Sequence, residues 1–380
     1  MSLKTDVTIP NSEGKRINFP LQGARGLFCL FVFVYHVYNS GLGTFPQFSS
    51  QASDFFFKPL QYGVELFFGL SGFFIVRTIR RSPSVLHFAW DRITRIYPVL
   101  WLTILCVLGM QIAFRQHLLP AGWIALSFLT APPFIPYAHV NPIAWTLDYE
   151  VAFYAYCGAC WAQRHRTGRL WPLLALPAIA AMLFFPRVTM MAVGAALGLG
   201  YAEKPVALAL ARYPALFLLA FLIGWHLLVL MAGNNVQHLS SLGMPAARAL
   251  MFEAGVLVVS ALGGIALLGM SKGYGRLSKL LSSRPMLFMG AISYSFYLWH
   301  IPIMGGTKRL LMATKLDQGV YSQAIFLVIS FALALPIAWL SYYFIEVRAT
   351  GFLRKIAGFH PSFRKPSSQT TLEPLAWRET

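Results

Sequence analysis

Arg25 and His36 are eleven residues apart in one apolar run. At about 100° per residue this spacing puts both on the same face of a helix, roughly 16 Å apart along its axis. A guanidinium at one end of such a face can grip a phosphate in a two-pronged fork. An imidazole at the other end titrates near neutrality and can accept a proton. The plainer reading makes Arg25 a boundary residue that snorkels to the interface and His36 a polar group bonded between helices. Spacing alone leaves both readings open.

Arg92 and Arg95 form a second cluster, in Arg92-Ile-Thr-Arg95-Ile-Tyr97-Pro98. Three residues apart, they share a helix face, where two forks could hold a polyanion. Ordinary anchoring at a membrane boundary is the alternative, as it is for Arg77, Arg80 and Arg81. A third cluster is Trp145-Thr-Leu-Asp148-Tyr-Glu150. Acids at a helix start are favoured by its dipole. Glu150 lies deeper and is the better functional carboxylate. Glu65 sits among Gly63, Gly69, Ser71 and Gly72, small residues that let helices approach closely. Glu346 is expected to pair with a nearby base. His300 could be catalytic or a structural hydrogen-bonder.

The elements that carry these residues must cross a bilayer. Of the 380 residues, 57% are apolar and 12% charged, with mean hydropathy +0.59. A soluble domain averages about 45–50% apolar and about 25% charged. The expected fold is all-α, a polytopic bundle of about ten spans near 25–41, 60–79, 95–114, 143–162, 171–185, 188–202, 213–232, 249–270, 287–304 and 321–346. Residues 121–136 are apolar but short and Pro-broken, which suits a re-entrant or interfacial piece. Basic clusters fall in alternate loops, so the positive-inside rule sets both termini in the cytoplasm. Lys308, Arg309 and Lys315 break that pattern. Residues 1–20 and 348–380 read as cytoplasmic tails around a membrane domain at 21–347. The net charge of +18 reports cytoplasmic loops rather than nucleic acid, for which no motif is present. Cys157 and Cys160 stand inside a helix pattern with no second pair, so packing is expected there, with no metal.

Five motifs in order carry a resemblance to a family. Leu21-Gln-Gly-Ala-Arg-Gly26 with Tyr35-His36, the stretch Gly63 to Ile75, Arg92-Ile-Thr-Arg95, Trp145 to Glu150, and Ser293 to His300 together resemble the membrane-bound acyltransferase-3 family. Gln22 stands where an acid is common and Gly69 where a bulkier aliphatic is common. The resemblance implies transfer of an acyl group, usually acetyl, from cytoplasmic acyl-CoA to a hydroxyl of an envelope glycan or glycolipid in a bacterial inner membrane. It implies Arg25, Arg92 and Arg95 on the CoA phosphates, His36 as general base, Glu150 orienting the histidine or the acceptor, and Tyr35 and Trp145 on the sugar side. No serine or cysteine has an activated setting, so a covalent acyl-enzyme is disfavoured. No hydrolase-like domain follows the last span, so a fused second transfer step is not expected. A transporter or flippase of an envelope precursor is the alternative, though no inverted repeat supports it. A non-catalytic scaffold would tolerate loss of both Arg25 and His36.

Overall fold

The computed structural model describes residues 8–10, 16–42, 50–163, 167–232, 244–319 and 321–356. Most of both expected tails, and the loop residues Arg164 and Arg166, lie outside the described residues. A short antiparallel pair, β1 (Thr8–Pro10) and β2 (Arg16–Asn18), precedes the helices. The stretch expected as a polar tail therefore holds a hairpin and the start of the first helix.

The remaining described elements are almost all helical. They are α1 (Phe19–Tyr38), α2 (Ser50–Phe57), α3 (Gly63–Arg81), α4 (Val85–Ala113) and α5 (Ala121–Leu129). Next come α6 (Trp145–Ala162), α7 (Thr167–Phe184), α8 (Thr189–Leu199), α9 (Pro205–Leu210) and α10 (Pro214–Met231). The last are α11 (Ala246–Ser271), α12 (Gly275–Leu281), α13 (Arg284–Ala313), α14 (Ser322–Ser341) and α15 (Thr350–Ile356). A π-helical stretch, Tyr342–Ala349, joins the last two.

Among the described residues seven helices, not ten, are long and apolar enough to span: α1, α3, α4, α10, α11, α13 and α14. The other three expected spans coincide with α6, α7 and α8. Two acids and several aromatics lower the hydropathy of α6. Helix α8 has eleven residues, a rise of about 16 Å against a hydrocarbon core of about 30 Å. Apolar runs continue through helix breaks: Pro186–Val188 interrupts before α8, and Gly200 at φ 86° ends it in the left-handed region. Outward-facing Leu105, Leu219, Leu250 and Val328 are more than half exposed, as a lipid-facing surface requires. The chain is a multi-pass membrane protein.

Caps set the phase of the helices that carry the arginines. The Asn18 side chain accepts from the Leu21 amide at 3.1 Å, with Pro20 in the first turn, and so starts α1 just before Arg25. The Ser84 hydroxyl accepts from the His87 amide at 3.0 Å and starts α4 ahead of Arg92 and Arg95.

Proline stands inside three of the spanning helices, α4, α13 and α14, and in the first two the freed carbonyl is satisfied from a distance. Pro98 in α4 cannot donate to the carbonyl of Thr94, which instead accepts from the Thr350 hydroxyl at 2.9 Å. Pro302 in α13 leaves the carbonyl of Leu298, which accepts from the Asn141 amide at 2.9 Å. These bonds tie α15 to α4, and the segment before α6 to α13.

Close backbone approach fixes two further pairs. A Cβ on Gly194 of α8 would lie 1.9 Å from the Gly69 carbonyl oxygen of α3. A Cβ on Gly290 of α13 would lie 1.9 Å from the Gln22 carbonyl oxygen of α1. Both distances are far inside van der Waals contact, so helix backbones must part to admit a methyl group. Gly290→Ala is expected to destabilise the protein by about 1–3 kcal/mol, read as a lowered thermal midpoint in detergent. Gly109→Ala is the control: nothing lies within 4 Å of that added Cβ, so its midpoint should hold or rise.

Lys308 and Arg309, which break the loop-charge pattern, have local partners. Lys308 donates to the Ser40 carbonyl at 2.6 Å, and the Arg309 guanidinium sits 4.5 Å over the Phe114 ring. Both side chains thus bridge helix ends.

Candidate active site

A cavity of about 440 Å³ lies between α1, α3, α4, α6 and α13. It follows α3 from Arg81 to Val64, a helical rise of about 25 Å. Arg25, Arg81, Arg92 and Arg95 line it, and Glu150 is the carboxylate among its walls. Four cations face one anion, so the cavity favours a polyanionic occupant. The expected partners Arg25, Arg92, Arg95 and Glu150, distant in sequence, are thus brought to one space.

Each charge has an identifiable support. Arg25 Nε donates to the Ser293 hydroxyl at 3.3 Å, where Gly290 allows α13 to approach α1. The Arg92 guanidinium faces the rings of Phe88 and Tyr154 at 5.8 and 6.0 Å. Glu150 Oε1 accepts from the Tyr154 hydroxyl at 2.6 Å and from the Ser71 hydroxyl. Tyr154 is four residues after Glu150 and therefore one turn along the same face. The Tyr294 hydroxyl donates to the Ile96 carbonyl at 2.7 Å and fixes α13 against α4 beside the arginines.

Phe67, Thr146 and Tyr297 line the cavity where α3, α6 and α13 meet. The Tyr297 and Thr146 hydroxyls are 3.1 Å apart, and Tyr297 meets Phe67 edge-on at 6.1 Å. His36 is not among the lining residues. Its ring meets Tyr35 at 5.1 Å and His300 at 5.3 Å between centroids, and His300 in turn meets the lining residue Tyr297 at 5.8 Å. The sequence reading put Arg25 and His36 along one route; Tyr297 stands beside it. Glu150 Oε1 takes its hydrogen bonds from Ser71 and Tyr154.

Tyr35 and Trp145 also lie outside the cavity lining. Trp145 is covered by the Arg187 guanidinium at 5.2 Å, and Arg187 Nη1 is 3.2 Å from Glu65 Oε1. Glu65 is thereby one half of a buried ion pair, beyond the architectural role its small neighbours suggest. The small residues around it serve packing as expected, except that Ser71 also holds Glu150. Glu346 accepts from the Ser295 hydroxyl at 2.6 Å and the Ser295 amide at 3.2 Å, and it lies within electrostatic reach of Arg95 and Arg25, the bases on its side of the bundle.

Asp148 has a larger role than a helix-dipole partner. It accepts from the Tyr137 hydroxyl at 2.9 Å and the Ala131 amide at 3.2 Å, and it meets His139 Nε2 at 2.8 Å. These bonds pin residues 130–141 to the first turn of α6. Burial and the charge of Asp148 push the Tyr137 hydroxyl above the usual phenol range, which keeps it a donor.

Sequence reasoning missed Ser71, Tyr154, Ser293, Tyr294 and Tyr297 as parts of this site. A one-turn offset from Glu150 could have found Tyr154. Nothing in spacing marks the others, whose partners lie on distant helices.

A family model described as an acyltransferase domain, acyltransferase-3, matches residues 20–343. The chain is 33% identical over 111 residues to the peptidoglycan O-acetyltransferase OatA of Listeria monocytogenes. It is 34% identical over 97 residues to the O-acetyltransferase OatA of Staphylococcus aureus. These matches cover 29% and 25% of this chain but only 17% and 15% of the relatives. No solved structure matches the chain.

Proposed function

Because the chain belongs to the acyltransferase-3 family, we propose that it transfers an acyl group, most simply acetyl, from cytoplasmic acyl-CoA to a hydroxyl of an envelope glycan or glycolipid. The observation that carries this reading is the long cavity with four arginines and a single carboxylate. Coenzyme A is a polyanion at one end and a slender thioester arm at the other. Arg25, Arg92 and Arg95 suit its phosphates, and the space along α3 suits the arm. The basic loop ends beside Arg81 and Arg92 orient that mouth to the cytoplasm, in a bacterial inner membrane. The relatives named as O-acetyltransferases, one of them of peptidoglycan, favour an envelope glycan as acceptor.

In the proposed step His36 takes the proton of the acceptor hydroxyl. The oxygen attacks the thioester carbonyl, and the new C–O bond forms as the C–S bond breaks. The departing thiolate takes up the proton that His36 received. Tyr297 lines the cavity and packs on His300, which packs on the histidine, so the acyl end passes Tyr297 to react. Tyr35 and Trp145 belong to the acceptor side, with Trp145 held flat by Arg187. Glu150 stays on the wall of the donor cavity, where it contributes one negative charge that limits crowding of the arginines.

Two measurements test the reading together. Mass spectrometry of envelope glycans from cells with and without the gene should differ by an acetyl-sized mass. Purified protein should release free CoA thiol from acetyl-CoA, faster when isolated envelope glycans are added. Identical glycans combined with no thiol release would sink the proposal.

A further inference from the structure

His300 lies at the centre of α13 and is 1% exposed. Its Nδ1 is 2.6 Å from the backbone carbonyl of Tyr297. A carbonyl only accepts, so Nδ1 must carry the proton. In the neutral ring Nε2 is then a bare lone pair, and this buried nitrogen has no hydrogen-bond partner. An unsatisfied buried acceptor is costly and calls for a donor. The rings of Phe33, Phe296 and Tyr297 surround His300 at 6.2, 6.3 and 5.8 Å and offer no charge. The remaining ring neighbour is His36, with centroids 5.3 Å apart and planes at 45°. No bond joins the two rings in this arrangement, but at that separation a turn of one ring can bring a nitrogen of each to about 3 Å, the length of an N–H···N bond.

We propose that His300 is a positioning residue for His36: its Nε2 lone pair accepts the N–H of the His36 ring during the reaction. The inference rests on the acyl-transfer reading, in which His36 is the base. His300 is held at Nδ1 by the helix backbone and cannot turn, while the half-buried His36 ring can rotate to meet it. That bond fixes the His36 tautomer. One nitrogen keeps its proton on His300, and the other holds the lone pair that takes the proton of the acceptor hydroxyl. The imidazolium that forms carries both protons, one still shared with His300. The chemistry parallels the way a carboxylate orients a histidine base, with a neutral acceptor that costs less to bury than a charge.

The test uses the full-length protein in detergent, with acetyl-CoA as donor and isolated envelope glycans as acceptor. His300→Asn can keep the bond to the Tyr297 carbonyl and lacks the Nε2 lone pair. Its kcat is expected to fall about 100-fold, the scale of a misplaced catalytic group, while KM for acetyl-CoA and the thermal midpoint hold. His300→Gln, whose amide oxygen reaches the place of Nε2, should recover part of that loss. In ¹⁵N-histidine spectra of the wild type, His300 should be the Nδ1-protonated tautomer, and the His36 nitrogens should shift in His300→Asn. A wild-type kcat in His300→Asn beside an inactive His36→Ala overturns the inference and leaves acyl transfer standing. So does an Nε2-protonated His300, or a kcat loss that comes with a lowered midpoint and unmoved His36 nitrogens. A fully active His36→Ala removes the base itself, and the inference falls with it.

Discussion

His36→Ala is expected to lower acyl transfer by about 10²–10⁴-fold, the usual contribution of a general base. The loss should appear in kcat, with KM for acetyl-CoA nearly unchanged, because His36 does not line the cavity proposed to hold the donor. That split follows from a group that acts only as charge moves in the transition state. His36 lies at the end of α1, packed against the rings of Tyr35 and His300. Truncation removes a half-buried ring, so the folded fraction should be followed by thermal midpoint alongside rate. Transfer at the wild-type rate in a folded His36→Ala protein means that another group takes the proton.

Arg92→Ala and Arg95→Ala should act in the opposite sense, raising KM for acetyl-CoA with a smaller change in kcat. A hydrogen bond to a charged group contributes about 1.5–3 kcal/mol, so each loss should weaken donor binding about 10–100-fold. Arg92 also faces the rings of Phe88 and Tyr154, so a further fall in stability belongs to that variant and not to Arg95→Ala. Desulfo or dephospho analogues of CoA separate the two ends of the donor: an analogue lacking the 3′-phosphate should be less sensitive to one of the arginines. Raised salt should weaken binding to the wild type more than to the variants, because fewer charges remain to be screened. Equal donor affinity in both variants and the wild type would return these residues to membrane anchoring.

The roles of Asn141 and Thr350 illustrate what pattern reading cannot reach. Pro98 and Pro302 are visible in the sequence as interruptions, and each announces a carbonyl without an amide. Which side chain answers is not visible, since Thr350 lies 256 residues from Thr94 and Asn141 lies 157 from Leu298. Both answers depend on how helices cross. The same is true of Ser293 on Arg25 and Ser71 on Glu150, small polar residues with no local signature.

The sequence alone determined the membrane habit, the helical class and the family. Composition, run length and the ordered motifs are local properties that survive without knowledge of the fold. It also determined that Arg25 and His36 share a face and that Arg92 and Arg95 share another, because helical periodicity fixes angles along one element. Only the tertiary structure decided that four arginines and Glu150 meet in one cavity, since that requires four helices to converge. It alone set His36 against His300, which packs on Tyr297, where the spacing along α1 had left the intervening space unspecified. It also leaves seven helices of spanning length and apolarity among the described residues, because α8 is cut short at both ends and the acids of α6 lower its hydropathy. Periodicity governs one helix at a time; the chemistry of this protein depends on what the neighbouring helices bring to the same face.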